Sequence, residues 1–257
     1  MNLIELSKYL QDEKAAENYL YEKGILKKFT ECPYCKSDKI GNIRRGRVKY
    51  YKCKKEWHKR SGSILESKHI ECGSFVALLK LFSDGIGVTE ATFQLELNVK
   101  TVIMIYDELA EAILNEYSID SKIFSNEEFY IAQIEDSEIQ VLKNLPTAKS
   151  KNVTYGKFRM LRTRNLDQSY SFSYEFDWVQ AKDRANKNNI NRFLNYLKHN
   201  LAIYRGISQK HFQQYFGILL IRYNAQEKDL FNILLKSLKI KGWSKLPDAR
   251  KCIDTLS

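Results

Sequence analysis

Three cysteines in a short basic segment constrain the fold of this chain more than any other feature. Cys32 and Cys35 form a C-x-x-C pair, and seventeen residues separate Cys35 from Cys53. This spacing is typical of a zinc ribbon, in which two loops supply four tetrahedral ligands. A segment this short has too small a core to fold without such a crosslink. We therefore predict a zinc ribbon over residues 31–67, and a small apolar core without metal is the alternative.

The fourth zinc ligand has two candidates. A regular ribbon would place its last cysteine at position 56, where this chain has Glu56, and His58 follows two residues later. Nitrogen, sulfur and oxygen atoms all serve as zinc ligands in proteins. The predicted ligands are Cys32, Cys35, Cys53 and His58, with Glu56 as the weaker choice for the fourth position.

Charge is distributed in blocks along the chain, whose formal net charge is +11. Residues 36–60 hold eleven Lys and Arg against two acids, a net +9, and residues 143–165 hold seven Lys and Arg with no acid. Between them, residues 107–138 hold ten acids against one lysine, a net −9. Basic blocks of this kind favour a polyanionic partner, because neutralising phosphates releases counterions.

The cysteines and the first residues bear on the compartment. An odd count of five cysteines argues against a disulfide framework, and Cys72 and Cys252 are expected to be buried thiols. Glu5 and Lys8 interrupt the stretch where a secretory signal would be apolar. No run of about 20 apolar residues is present, as a membrane span would need. We expect a cytoplasmic, DNA-associated protein with no membrane partner.

Hydrophobic periodicity predicts helices in the first half of the chain outside the cysteine segment. One or two amphipathic helices are expected over 3–27, and another over 74–83. Thr89 is expected to cap a short helix through Leu97, and a longer helix is expected over 98–114. A short helix, a tight turn and a longer helix follow the order of a helix-turn-helix unit.

The second half mixes strand and helix patterns. Residues 128–142 alternate well enough for a strand or hairpin, 143–165 predict a basic loop with a short strand, and 170–178 predict a strand. From residue 186 onward the pattern is mostly helical.

Motifs in both halves resemble one family. One set of motifs is similar to the front of ISXO-type insertion-sequence transposases, which are DDE enzymes related to Merlin elements. It consists of Cys-Pro-x-Cys, Tyr51-Lys52-Cys53, Trp57 and the run Arg60 to Glu66, followed by the helix-turn-helix pattern. The closing helical segment of that family is similar to a further set of residues: Asn189 to Phe193, Leu197-Lys198, Tyr204, Gly206 to Ser208, His211-Phe212 and Arg222-Tyr223-Asn224.

The resemblance implies a fold and a partner. It predicts an α+β, multi-module chain: an N-terminal helical segment (1–30), the zinc ribbon (31–67), the helix-turn-helix (68–122) and an RNase H-like α/β core with a helical C-terminus (123–257). Only 59 residues, 128–186, are left for the strands and first helix of that core, so it is shortened. Double-stranded DNA is the implied partner, and such a protein could act as a homodimer.

The resemblance also implies catalytic positions. In the family, carboxylates on the sheet bind two Mg²⁺ or Mn²⁺ ions that activate phosphoryl transfer. Glu135 falls where the first Asp belongs, with Asp136 beside it, and Asn191 falls at the third position, with Lys198 two helical turns later. The second Asp has no clear match, although Asp177 is available. The catalytic candidates are Glu135, Asp136, Asp177, Asn191 and Lys198.

We predict a mobile-element protein that binds DNA and is catalytically impaired. An active DDE transposase and a zinc-ribbon transcription regulator are the alternatives. Lys100 and Thr101, at the start of the recognition helix, are placed to contact base edges. The phosphate contacts are assigned to residues of the ribbon: Arg44, Arg45, Arg47, Lys54 and Lys55.

Overall fold

A computed structural model of the chain describes residues 1–32, 35, 37–54, 56–117, 119, 128–134, 138–144, 153–164, 170–181, 184–201, 209–225 and 229–239. Helices and two antiparallel sheets make up this part, which confirms the α+β class. The chain divides into two compact units, Met1–Ala112 with Phe231–Ser257, and Ile113–Leu230.

The first unit begins with two helices, α1 (Leu3–Gln11) and α2 (Glu13–Glu22). Asn2 caps α1 in a capping box with Glu5, and the Asp12 carboxylate accepts hydrogen bonds from two backbone N–H groups of α2. Two capping residues ten positions apart therefore divide the predicted 3–27 segment into two helices. Gly24 follows α2 with φ +75°, a left-handed conformation that glycine adopts without strain.

The cysteine segment (residues 31–60) contains a three-stranded antiparallel sheet. Strands β1 (Ile40–Ile43) and β2 (Arg47–Tyr50) are joined by a 3₁₀ turn, and β3 (Glu56–His58) pairs with β2. Val48 and Tyr50 alternate with exposed or half-buried residues along β2, as expected for a strand with one buried face.

Three further helices complete the described part of this unit up to the domain boundary. They are α3 (Cys72–Ser83), α4 (Val88–Leu95) and α5 (Val99–Glu116), the last of which extends four residues into the second unit. Helix α3 packs against α1 and α2, and most of its side chains are buried, among them Phe75 and Leu79.

The predicted cap of α4 is wrong. Gly87, in an extended conformation, is the N-cap of α4, so Thr89 lies inside the first helical turn. The helix also ends at Leu95 rather than Leu97, because Glu96 turns left-handed at φ 51°. The three residues 96–98 then lead into α5, where the Asn98 side chain accepts a hydrogen bond from the Lys100 N–H at 2.9 Å.

The second unit contains a four-stranded antiparallel sheet. Its strands are β4 (Glu128–Ile134), β5 (Gln140–Leu142), β6 (Val153–Arg164) and β7 (Tyr170–Gln180), in the order β5-β4-β6-β7. The predicted hairpin over 128–142 and the strand over 170–178 are confirmed.

Strand β6 corrects the prediction of a basic loop with a short strand over 143–165, because it runs for twelve residues. Two of its cations, Lys157 and Arg159, are tolerated because acids on neighbouring strands face them. Lys157 and Arg159 both pair with Glu128 of β4, and Arg159 also pairs with Glu175 and Asp177 of β7.

Two helices, α6 (Arg184–Leu201) and α7 (Gln209–Asn224), contribute to the core on one face of this sheet. Phe129 of β4 stacks on Phe158 of β6 at 4.8 Å between ring centroids, and Phe216 of α7 meets both rings edge-on. Ile190 and Phe193 of α6 join the same cluster. Helix α6 therefore turns its apolar face towards this aromatic core.

The last described helix is α8 (Leu230–Ser237). None of the helices in the described ranges has the length and apolar character needed to cross a membrane.

Candidate metal centre and nucleic-acid surface

The structure brings the three predicted cysteine ligands together. The sulfur atoms of Cys32, Cys35 and Cys53 all lie within 4.8 Å of one another, and Cys32 Sγ lies 3.5 Å from Cys53 Sγ. Thiolates bound tetrahedrally to one zinc ion, at 2.3 Å each, lie about 3.8 Å apart. The three thiols are therefore spaced to hold a metal ion, and soft sulfur donors suit zinc.

Local backbone structure holds the cluster in place. The Cys32 N–H donates to the Ser37 carbonyl at 2.8 Å, which closes the loop that carries Cys35. Cys53 follows β2 and precedes Lys54, whose φ of 56° turns the chain back towards β3. Val48, Tyr50 and Trp57 pack against the cysteines, with the rings of Tyr50 and Trp57 4.6 Å apart.

Electrostatics favour a thiolate at Cys35. Burial acts to raise the pKa of its thiol, but hydrogen bonds from the Ser37 backbone and from Cys32 and Cys53, with the charge of Lys52, lower that pKa below its usual range. Metals bind the thiolate form of cysteine, so this environment helps to load the site.

The predicted fourth ligands lie on the other face of the sheet. Successive side chains of a strand point to opposite faces, and Trp57 of β3 faces the cysteines. Glu56 pairs with Lys49 at 3.4 Å, and His58 Nδ1 accepts the Arg60 N–H at 3.1 Å. Among the described residues the metal-binding group consists of the three cysteines alone. Assignment of His58 or Glu56 as fourth ligand stays a prediction.

Several predicted phosphate contacts in the cysteine segment are open to solvent. Arg44, in the 3₁₀ turn, Arg47, at the start of β2, and Lys54, beside Cys53, are exposed. The Arg45 side chain and Lys55 lie outside the described residues. These exposed cations create a positive surface potential that attracts a polyanion.

The run from Arg60 to Glu66 has a structural role that the sequence did not reveal. Arg60 Nη1 donates to the backbone carbonyls of Ile70, at 2.6 Å, and Lys68, at 3.2 Å. Lys68 Nζ, almost fully buried, pairs with Glu108 of α5 at 2.8 Å. Arg60, Lys68 and Ile70 line a cleft of about 750 Å³ beside the small sheet. Because Arg60 and Lys68 are both bound to protein groups, they anchor the end of the cysteine segment to the helices.

Glu13 links the same region to the helices by capping α3. Its carboxylate accepts hydrogen bonds from the N–H groups of Cys72 and Gly73, at 2.8 and 3.1 Å, and lies 3.7 Å from the Arg60 guanidinium. A carboxylate at a helix N-terminus satisfies free N–H groups and interacts favourably with the helix dipole.

The start of α5 presents the two residues predicted to meet DNA bases. Lys100 is exposed and Thr101 is half-buried in the first turn. Ile103 and Met104, one turn later, are also partly exposed. The first turn is therefore accessible, and the helix dipole adds positive potential there.

The predicted catalytic residues are not seen as one cluster. Glu135 and Asp136 follow β4 and lie outside the described residues. Asp177 of β7 forms an ion pair with Arg159 at 3.3 Å, on the sheet face opposite Phe176. Asn191 and Lys198 of α6 are exposed.

A polar network at the end of β4 was missed by sequence reasoning. The Asn189 side chain donates to the buried Gln133 at 3.1 Å, and the Tyr223 hydroxyl donates to Asn189 Oδ1 at 2.7 Å. The Asn224 side chain makes two hydrogen bonds with the backbone of Ile139, at 2.8 and 3.1 Å. Tyr223 and Asn224 of the Arg-Tyr-Asn motif thus tie α7 to α6 and to the segment just before β5.

No protein-family model, curated protein or solved structure matches this chain. Its function is therefore inferred from the three clustered cysteines and from the exposed cations of the same segment, Arg44, Arg47 and Lys54.

Proposed function

We propose that this chain is a DNA-binding protein of the ISXO transposase type, with a zinc ribbon and a helix-turn-helix as its DNA-binding modules. The observation that carries the proposal is that the segment holding three clustered cysteines also presents the exposed cations Arg44, Arg47 and Lys54. A zinc ion bound by the cysteines would fix the loops that present these cations. Cations held in fixed positions set the register of a protein on the phosphate backbone.

Electrostatics set the strength of this interaction. Residues 36–60 carry a net +9, and Glu56, one of their two acids, is already paired with Lys49. Each phosphate that such a block neutralises contributes about −0.9 to the slope of log affinity against log salt on duplex DNA. The binding is therefore expected to be strong at low salt and to weaken steeply as salt is added.

Sequence reading is assigned to the first turn of α5, as the second helix of a helix-turn-helix. Lys100 and Thr101 would meet base edges in the major groove, and the exposed Met104 offers an apolar contact. Acidic residues lie further along the helix, with Glu111 exposed. Like-charge repulsion therefore restricts the DNA contact to the N-terminal turn.

The second unit is proposed as a shortened RNase H-like core with impaired catalysis. In the described part Asp177 is held by Arg159, which competes with a divalent metal for the same carboxylate. Asn189, two residues before the predicted Asn191, is the α6 side chain that reaches the end of β4. Glu135 and Asp136 would be left to hold Mg²⁺ or Mn²⁺ without a matching second Asp.

Replacing Arg44, Arg45 and Arg47 together with Ala is expected to weaken binding to every duplex sequence and to flatten the salt dependence, by about 0.9 in slope for each lost phosphate contact. Fluorescence anisotropy over a salt series measures both quantities. The matched control removes three exposed cations elsewhere, Arg184, Arg192 and Lys236. An unchanged slope in the ribbon variant, or an equal loss in the control, would contradict the proposed interface.

Impaired catalysis predicts that supercoiled plasmid incubated with the protein and Mn²⁺ is not nicked above background. The Glu135→Gln/Asp136→Asn double variant is the control for contaminating nucleases. Nicking by the wild type that disappears in this variant would establish a live two-metal site and the active transposase alternative.

A further inference from the structure

The metal centre has an incomplete ligand set in the part of the chain that the structure describes. Three thiols form the only group there that could hold a metal ion, whereas structural zinc sites have four ligands. The four undescribed residues of the two loops, Pro33, Tyr34, Lys36 and Lys55, have none of the side chains that zinc ordinarily takes as ligands. Zinc sites with three protein ligands hold a molecule from solution in the fourth position.

A buried hydroxyl lies beside this incomplete set. Tyr50 is fully buried, and within the described ranges its Oη atom has no hydrogen-bond partner. Its ring packs against the cluster. A buried hydroxyl without a partner is destabilising, so its position calls for an acceptor.

We propose that the metal ion bound by Cys32, Cys35 and Cys53 keeps its fourth position for a small thiolate from solution, with water in its absence, and that Tyr50 Oη donates a hydrogen bond to this ligand. The inference rests on the metal centre of the proposed function and adds an exchangeable ligand to it. Hydrogen bonds from residues around a metal site orient its ligands and tune its affinity.

Charge and access both fit an anionic sulfur ligand. Zinc with three thiolates carries a net charge of −1, and a fourth thiolate makes it −2. Lys52 acts on Cys35 from close by, and the surrounding residues 36–60 add a net +9 that offsets this charge. Cys35 and Cys53 are only partly buried, so a small molecule can approach the metal from solvent.

Cobalt substitution tests the proposal on the full chain. Co²⁺ in a tetrahedral site gives visible bands, and its thiolate-to-metal charge transfer grows with the number of sulfur ligands. We expect a spectrum of three thiolates and one lighter donor, and saturable conversion to a four-thiolate spectrum when 2-mercaptoethanol is titrated in. Tyr50→Phe should still bind one Co²⁺ per chain but bind the thiol about tenfold more weakly.

Matched variants make the outcome decisive. Tyr51→Phe changes the adjacent, exposed tyrosine and should bind the thiol like the wild type. A spectrum that 2-mercaptoethanol does not alter would overturn the proposal. A change of the spectrum in Glu56→Ala, His58→Ala or Cys252→Ser without added thiol would also overturn it, because the fourth ligand would then be a protein group. Equal thiol affinity in Tyr50→Phe would overturn the role of Tyr50. Failure to bind Co²⁺ at all would instead remove the metal centre from the proposed function, and DNA binding is measured separately.

Discussion

Removing bound zinc from the purified chain, by chelation or by Cys35→Ser, is expected to unfold the cysteine segment and to leave α1, α2 and α3 packed. Among the described residues of the segment, Val48, Tyr50 and Cys32 are the buried members of its own cluster, which is too small a core to stand alone. Zinc binding supplies about 10–16 kcal/mol of apparent folding free energy in comparable peptides. The helices have their own buried contacts, such as Leu6, Leu20 and Phe75, and do not depend on the metal.

Metal analysis and trypsin mapping measure this effect. The intact protein should contain about one zinc per chain and resist cleavage over residues 36–60, which hold eleven Lys and Arg. Cys72→Ala is the matched control. Cys72 lies outside the cysteine cluster, and burial raises the pKa of its thiol to about 12, so it remains protonated at neutral pH. Zinc-free protein that is equally resistant to trypsin would show that the segment folds as a plain apolar core.

Gly73→Ala is expected to lower the free energy of unfolding by about 3 kcal/mol. Gly73 lies in the first turn of α3, where α1 crosses it, and a Cβ atom there would clash with the Tyr9 carbonyl oxygen and lie 3.3 Å from Leu10 Cα. The sign of the change is informative, because helix propensity alone favours Ala over Gly by about 1 kcal/mol.

Urea denaturation measures the Gly73→Ala effect, with Gly87→Ser as the control. Gly87 has open space around its Cβ position and a helix N-cap conformation, where serine is preferred, so this substitution should be neutral or slightly stabilising. A Gly73→Ala variant as stable as the wild type would show that α1 and α3 do not cross as closely as described.

Sequence patterns located most helices because apolar spacing and capping residues act locally. Asp12 and Asn98 cap helices whose apolar faces repeat at the helical period. Gly87, and not Thr89, is the N-cap of α4 because the start of this helix depends on the backbone conformation, which the residue types alone do not specify. Strand β6 was underestimated because its cations Lys157 and Arg159 are paired with acids of β4 and β7, partners distant in sequence.

The candidate site was predictable as a set of cysteines but not in its ligand geometry. The C-x-x-C spacing and Cys53 identified three residues that the fold brings together. Side chains alternate along β3, so that Trp57 faces the cysteines while Glu56 and His58 face the other side of the sheet. This arrangement depends on the register of β3 with β2, which the spacing of residues in the sequence does not reveal. Asn189 was missed because its partners, Gln133 and Tyr223, lie on other elements.

The cysteine segment is proposed to be a metal-stabilised, basic module that binds DNA. The most direct test is the affinity of zinc-loaded and chelated protein for duplex DNA over one salt series. The zinc-loaded chain should bind tightly at low salt with a steep negative slope, and chelation should weaken binding at least about tenfold and flatten that slope. Equal affinity with and without zinc, or no binding of the loaded chain at low salt, would contradict the claim.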